Sequence, residues 1–169
     1  MNSAAQLILA SASPRRRELL EQIGVRVIAQ AVDIDESQQQ DEPVIAYVQR
    51  LAMEKALCGF DTIENRHKLP VLGSDTIVEL DGEVLGKPAS RQQAKKMLQL
   101  LSSKKHTVYT SVAIVTDDAR IIETSSSQVH FKVLEEFEID NYLATGEADD
   151  KAGSYAIQGI AAQFIINLN

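Results

Sequence analysis

At 169 residues the chain is long enough for one domain with a real core and too short for two independent domains of ordinary size. Its 44% hydrophobic and 24% charged residues exclude an intrinsically disordered chain, and a net charge of −7 excludes a surface that tracks DNA or RNA over its whole extent. No window reaches the length of a membrane span, and the N-terminus lacks the basic-then-apolar order of a signal peptide, so a soluble cytoplasmic protein is expected.

In chain order, "QLILAS" reads as a buried strand. Ser13 then offers an N-cap, Pro14 suits the first helical position, "RRRELLEQI" carries the helix and Gly24 ends it. "VRVIAQAV" is a second strand, followed by the acidic loop "DIDESQQQDE" up to Pro43. "PVIAYVQRLAMEKALCGF" spaces its apolar residues for one face of a long helix. The single cysteine, Cys58, excludes an internal disulfide and fits there as a small apolar filler.

"LPVLGSDTIVELDGEVLGKP" reads as a hairpin turning at Asp81-Gly82. "SRQQAKKMLQLLS" returns to helical spacing, and "HTVYTSVAIVT" and "ARIIETSSSQVHFKV" are paired strands joined at Asp117-Asp118. "EEFEIDNYLATG" is a short helix closed by Gly146, and the apolar tail "SYAIQGIAAQFIINL" is expected to form a central strand. The fold class is mixed α/β, with antiparallel hairpins beside helices rather than a purely parallel sheet.

Two places carry chemistry. Arg15, Arg16 and Arg17 are adjacent, and three guanidinium groups cannot be buried together cheaply. A strand that ends in small residues and leads into a helix turns backbone N–H groups and the positive end of the helix dipole toward one spot. Ser11, Ser13, Arg15 and Arg16 surround that spot, and arginine forks favour phosphate oxygens, so a compact di- or triphosphate suits it. An ordinary capped helix with solvated arginines is the competing reading. Helical spacing turns Arg17 away from its neighbours.

Asp75 interrupts an otherwise apolar strand, where burial is costly unless a cation or hydrogen bonds offset it. It is a candidate base or metal ligand, or else it faces water at a strand edge. Taken singly, Lys55, Lys87 and Lys151 read as solvated lysines, and Asp33, Asp35 and Glu36 as either a magnesium site or a solvated acidic loop. His67, His106 and His130 show no ligand spacing.

Together, "LASASPRRRELL", "DIDE", "RLAMEKA", "GSDTIV" with "LGKP", "HTVYTSVAIV" and "DKAGSYAIQG" resemble the Maf family of nucleoside triphosphate pyrophosphatases, in the family's order and over nearly all of the chain. The resemblance implies a single domain over 1–169 that lacks the family's usual C-terminal segment. It also implies an elongated mixed sheet flanked by helices, like that of inosine triphosphate pyrophosphatase, with two lobes around a nucleotide cleft. It puts the catalytic base at Asp75, phosphate and substrate contacts at Ser11, Arg15, Arg16, Lys55 and Lys87, and a divalent metal, Mg²⁺ or Mn²⁺, on Glu36 and Asp75.

Arg15, Thr76 and Gln158 look like the branch that hydrolyses dTTP and UTP to the monophosphate and pyrophosphate. The resemblance also implies a homodimer, with no nucleic-acid or membrane partner. Other readings within it are a house-cleaning enzyme for modified nucleotides such as 7-methyl-GTP, and a non-catalytic nucleotide-binding regulator of septum formation, which an intact Asp75 disfavours. Ser111 stands where many members carry Gly or Ala, a change expected to leave the site intact.

Overall fold

The structure, a computed structural model, describes residues 4–62 and 69–169. His67 lies outside the described residues. In chain order the elements are β1 (Leu7–Ala10), α1 (Pro14–Gln22), β2 (Val27–Gln30), α2 (Val44–Thr62), β3 (Val71–Leu80), β4 (Glu83–Leu85) and α3 (Arg91–Leu101). They continue with β5 (Lys105–Val115), β6 (Arg120–Phe131), α4 (Glu136–Ala144), two 3₁₀ turns (Ala152–Ser154 and Ile160–Phe164) and β7 (Ile165–Leu168). The strands hydrogen-bond in the order β2-β1-β3-β5-β6-β7, with β4 paired to β3. The expected mixed α/β class is borne out.

Local sequence explains most boundaries. The Ser13 hydroxyl accepts the Arg16 N–H at 3.5 Å, Pro14 opens α1, and Gly24 takes a φ of 79° just beyond its end. Asp81 and Gly82 both adopt positive φ, 54° and 88°, as a two-residue turn between twisted antiparallel strands requires. Ser90 caps α3 through Gln93 N–H at 3.2 Å.

The chain divides into two compact units, one formed by the residues up to Asp75 with Thr110–Thr124, the other by Thr76–Tyr109 with Ser125–Asn169. In the first unit, β1 pairs in parallel with β2 and with β3, Ile8 standing opposite both Ile28 and Val71. Ile8, Ala10 and Val71 form one apolar cluster, and Ala52 and Ala56 of α2 pack with Ala113 and Val115 in another. Gly73 fixes how closely α2 rides on β3, because a Cβ there would collide with the backbone at Ala52 and Ala56.

The second unit holds the larger core. Leu98 and Leu101 of α3, Ile139 and Tyr142 of α4, and Phe131 and Phe164 are all buried in it. The tail departs from the expected central strand. Residues 152–164 are mostly turns, with Gly153 at a φ of 64° and Gly159 against the Glu147 carboxylate. Only Ile165–Leu168 is extended, as a last strand pairing antiparallel with β6, and three of its four residues are exposed. Apolar content without alternation does not distinguish buried turns from a strand.

Candidate active site

Side chains along β3 alternate between faces, so Asp75 shares the α2-facing side with Gly73. On α2, Lys55 follows Ala52 by three residues and so stands over the same contact. The close approach at Gly73 therefore brings the two side chains together. Lys55 Nζ is 2.5 Å from Asp75 Oδ1, and the side chains are 9% and 12% exposed. The same ammonium lies 2.6 Å from Glu36 Oε1. Lys55 is thus an ion-paired buried residue rather than the solvated lysine its residue type suggested, and Asp75 does not face water at a strand edge.

Glu36 reaches Lys55 because its loop is strapped to α2. The Tyr47 hydroxyl donates to the Glu36 carbonyl at 2.5 Å, and burial, then the charge of Asp75, raises that phenol above its ordinary value, so it remains a donor. Arg50 forks onto Glu42, with Nε at 2.7 Å and Nη2 at 2.9 Å, and also donates to the Ser37 carbonyl at 2.9 Å and to Glu54 at 3.1 Å. Asp35 turns back into the loop, accepting from Ser37 N–H at 2.9 Å and Ser37 Oγ at 2.6 Å. At the far end of α2, half-buried Cys58 packs beside the loop, its thiol 3.7 Å from the Asp33 carbonyl.

The end of β1 and the start of α1 add positive charge. Arg16 Nη1 donates to the Ser11 hydroxyl at 3.3 Å, and Ser11 also accepts Ser13 N–H at 3.1 Å. Burial lowers the Arg16 pKa, while Asp75 and then Glu36 oppose that shift, so this guanidinium feels both carboxylates. Two of the N–H groups expected to face an anion, those of Ser13 and Arg16, are taken up by serine hydroxyls. The positive charge at this corner is therefore mainly that of the guanidinium groups. Arg15 is half-buried, whereas Arg17 is exposed and paired with Glu21 at 2.8 Å.

Ser11, Arg16, Glu36, Lys55 and Asp75 thus form one constellation in the first unit. Thr76, Lys87 and Gln158 belong to the second unit. There Lys87 is exposed, and the Lys151 ammonium first, with Lys87 adding to it, lowers the Asp150 carboxyl. The Gly153 N–H donates to the Gly86 carbonyl at 3.1 Å, which ties the segment before Lys87 to the one after Lys151. Gln158 is exposed in the turn from Ala156 to Gly159.

Reading the sequence did not single out Tyr47 or Arg50. For Tyr47 the signal was positional: Tyr47, Leu51 and Lys55 recur every four residues and put two polar groups on the buried face of α2. Ser111 is fully buried, and its hydroxyl is paired with Thr124 Oγ1 at 2.8 Å, which Gln49 Nε2 reaches at 3.0 Å. The extra oxygen has a partner there.

No group of three or more His, Cys, Asp or Glu side chains suited to a metal ion occurs among the described residues. Glu36 and Asp75 nonetheless converge on one ammonium, which makes them two hard oxygen donors directed at one point. Magnesium is commonly held by one or two carboxylates, with water and substrate phosphates completing its shell. The donor set fits such an ion.

A strapped acidic loop, a lysine bridging two carboxylates and an arginine corner thus lie together in a mixed α/β chain, and residues 6–169 match the family described as "Maf-like protein". The chain belongs to the Maf family. It is 48% identical to the dTTP/UTP pyrophosphatase of Alkalilimnicola ehrlichii over 165 residues, covering 96% of this chain and 81% of the other. It is 46% identical to the dTTP/UTP pyrophosphatase of Aliivibrio fischeri over 167 residues, covering 98% and 87%. Among solved structures it is similar to the Staphylococcus aureus Ham1 protein, at 14% identity and a TM-score of 0.49 over 74% of this chain and 71% of that one.

Proposed function

We propose that the chain hydrolyses dTTP and UTP between the α- and β-phosphates, giving the nucleoside monophosphate and pyrophosphate. The observation that carries this reading is the Lys55 ammonium shared by Asp75 and Glu36, in a Maf-family chain that is close to relatives named dTTP/UTP pyrophosphatase. Asp75 orients the attacking water and takes its proton as the water oxygen bonds to the α-phosphorus. The bridging oxygen leaves with the β-phosphate and takes the bond's electron pair.

Negative charge grows on that departing pyrophosphate, and Arg15, Arg16, Lys55 and Lys87 offset it, with Ser11 donating a hydrogen bond. Glu36 and Asp75 are the residues that would hold Mg²⁺ or Mn²⁺, which when bound neutralises phosphate charge. Thr76 and Gln158 read the base. Among the described residues no helix is long and apolar enough to cross a membrane. A cytoplasmic homodimer acting on free nucleotides accords with this reading.

The test is pyrophosphate release from UTP, dTTP, CTP, GTP and 7-methyl-GTP, with and without Mg²⁺. UTP and dTTP are expected to be the best substrates, with UMP rather than UDP as the uridine product. A preference for 7-methyl-GTP overturns the base assignment, and release of single phosphates overturns the bond assignment.

A further inference from the structure

We infer that Glu147 is a positioning residue for base selection: its carboxylate fixes the backbone of the turn that presents Gln158. This rests on the pyrimidine reading above and supplies what that reading lacks. A glutamine amide offers a donor and an acceptor side by side, which suits the O4 acceptor and N3–H donor of uracil and thymine. Rotated by half a turn, the same amide suits cytosine. Discrimination therefore needs a carrier held to well within an ångström, and an exposed glutamine at a turn does not supply this alone.

The turn is held on both sides. On its N-terminal side, Tyr155 is buried, with its hydroxyl 2.8 Å from His106 Nε2, and Ala156 is buried beside it. Gly159 N–H closes the turn onto the Ala156 carbonyl at 3.0 Å. On the C-terminal side the Ala162 N–H donates to the Gly159 carbonyl at 3.1 Å, and the side chain that reaches the turn is that of Glu147. Its Oε2 accepts Ile160 N–H at 2.9 Å, and its Oε1 accepts Ala161 N–H at 3.3 Å and the Tyr142 hydroxyl at 3.1 Å. A Cβ at position 159 would run into this carboxylate, so glycine is what lets the two approach. Tyr142 is 2% exposed and packs edge-on to Phe164, 5.3 Å between centroids, which anchors the carboxylate from behind.

Three donors converge on two oxygens. An amide in place of the carboxylate keeps one acceptor and turns an N–H₂ toward a donor, so Glu147→Gln releases one arm without emptying the space. A residue that matters only for folding changes the fraction of active enzyme, and that fraction cancels when two substrates are compared on one preparation. The ratio of kcat/KM for UTP to that for CTP is therefore the readout, alongside hydrogen–deuterium exchange at Ile160 and Ala161.

Glu147→Gln is expected to lower the ratio about tenfold and to speed exchange at whichever of the two amides loses its acceptor oxygen. A folded Glu147→Gln with the native ratio overturns the inference. If that variant does not fold, Tyr142→Phe decides: it removes one support of the carboxylate and should lower the ratio about threefold, and an unchanged ratio overturns the inference. A native enzyme with no preference for UTP over CTP is a different result, because it refutes the pyrimidine reading itself. Gln158→Glu in the same series separates the two, since it alters selectivity while leaving Ile160 and Ala161 protected.

Discussion

Lys55 and Asp75 in the first unit are buried, and so are His106 and Tyr155 in the second, yet the two pairs meet the cost of burial differently. Around Lys55 each charge has an opposite one within reach: Asp75 at 2.5 Å, Glu36 at 2.6 Å, and the Arg16 guanidinium facing both carboxylates. Around His106 the surroundings are rings. Phe131 and Tyr155 stand edge-on at 5.0 and 5.4 Å between centroids, and burial pushes the imidazole down to about 4 and the Tyr155 phenol upward. One region compensates charge and the other suppresses it. A compensated cluster is vulnerable to the loss of any single member, because the charge left behind has no partner. A suppressed one is vulnerable to protons.

The most severe way to break the first region is Asp75→Asn. The amide keeps the shape but leaves Lys55 with Glu36 alone and gives the attacking water no anionic acceptor. Turnover should fall at least ~100-fold, the scale of a positioned base, with UTP binding retained. Pyrophosphate release and a UTP titration on the purified variant check both halves. Near-normal turnover would remove Asp75 from the mechanism.

The arginines sharpen the comparison within one helix. Arg16 is half-buried, bonded to Ser11 and within the field of Asp75 and Glu36, whereas Arg17 is 59% exposed and paired only with Glu21 one turn on. Arg16→Ala should cost about tenfold in kcat/KM for UTP, the scale of a charge-assisted hydrogen bond. Arg15→Ala should also lower it, and Arg17→Ala should stay within about twofold, since exposed pairs contribute little. Equal losses at all three positions would indicate a diffuse basic patch rather than a shaped site.

How far these regions were legible in the sequence depends on how local their determinants are. Ser13 with Pro14, and Asp81 with Gly82, act through their own backbone, so the start of α1 and the β3–β4 turn followed directly from residue type. Asp75 stood out because a carboxylate in an apolar strand needs an explanation. Lys55 was named only through the family resemblance and not by its residue type, because its burial depends on Gly73 drawing β3 against α2 and on Tyr47 and Arg50 strapping the acidic loop in place. Those are contacts over long stretches of chain, to which the properties of a single lysine give no clue. The tail was misread for a related reason: Gly159 answers to Glu147, twelve residues earlier, and its role is invisible until the carboxylate arrives.

The gentlest test addresses the second region through pH. His106 sits at about 4 when folded, against an ordinary 6.5, so between those values the unfolded chain binds a proton that the folded one refuses. Its contribution is thus fully present above pH 6.5 and is lost as pH falls toward 4. Burial is the main cause, and His130 adds to it. From pH 7 to 5.5 the expected loss is about 1 kcal/mol. Glu42 and Glu138, lowered chiefly by their bonds to Arg50 and Lys132, also weaken the fold, but only as pH falls through the ordinary carboxylate value of 4.5 and on below it, which lies under the pH 7 to 5.5 interval. The histidine window can therefore be read separately. Urea unfolding at closely spaced pH values should show the slope in the native protein. His106→Gln keeps a polar partner for the Tyr155 hydroxyl, cannot titrate, and should be flat across that window. A slope that survives the substitution would mean that other groups carry the pH response and that His106 takes up its proton without leaving its place among the rings.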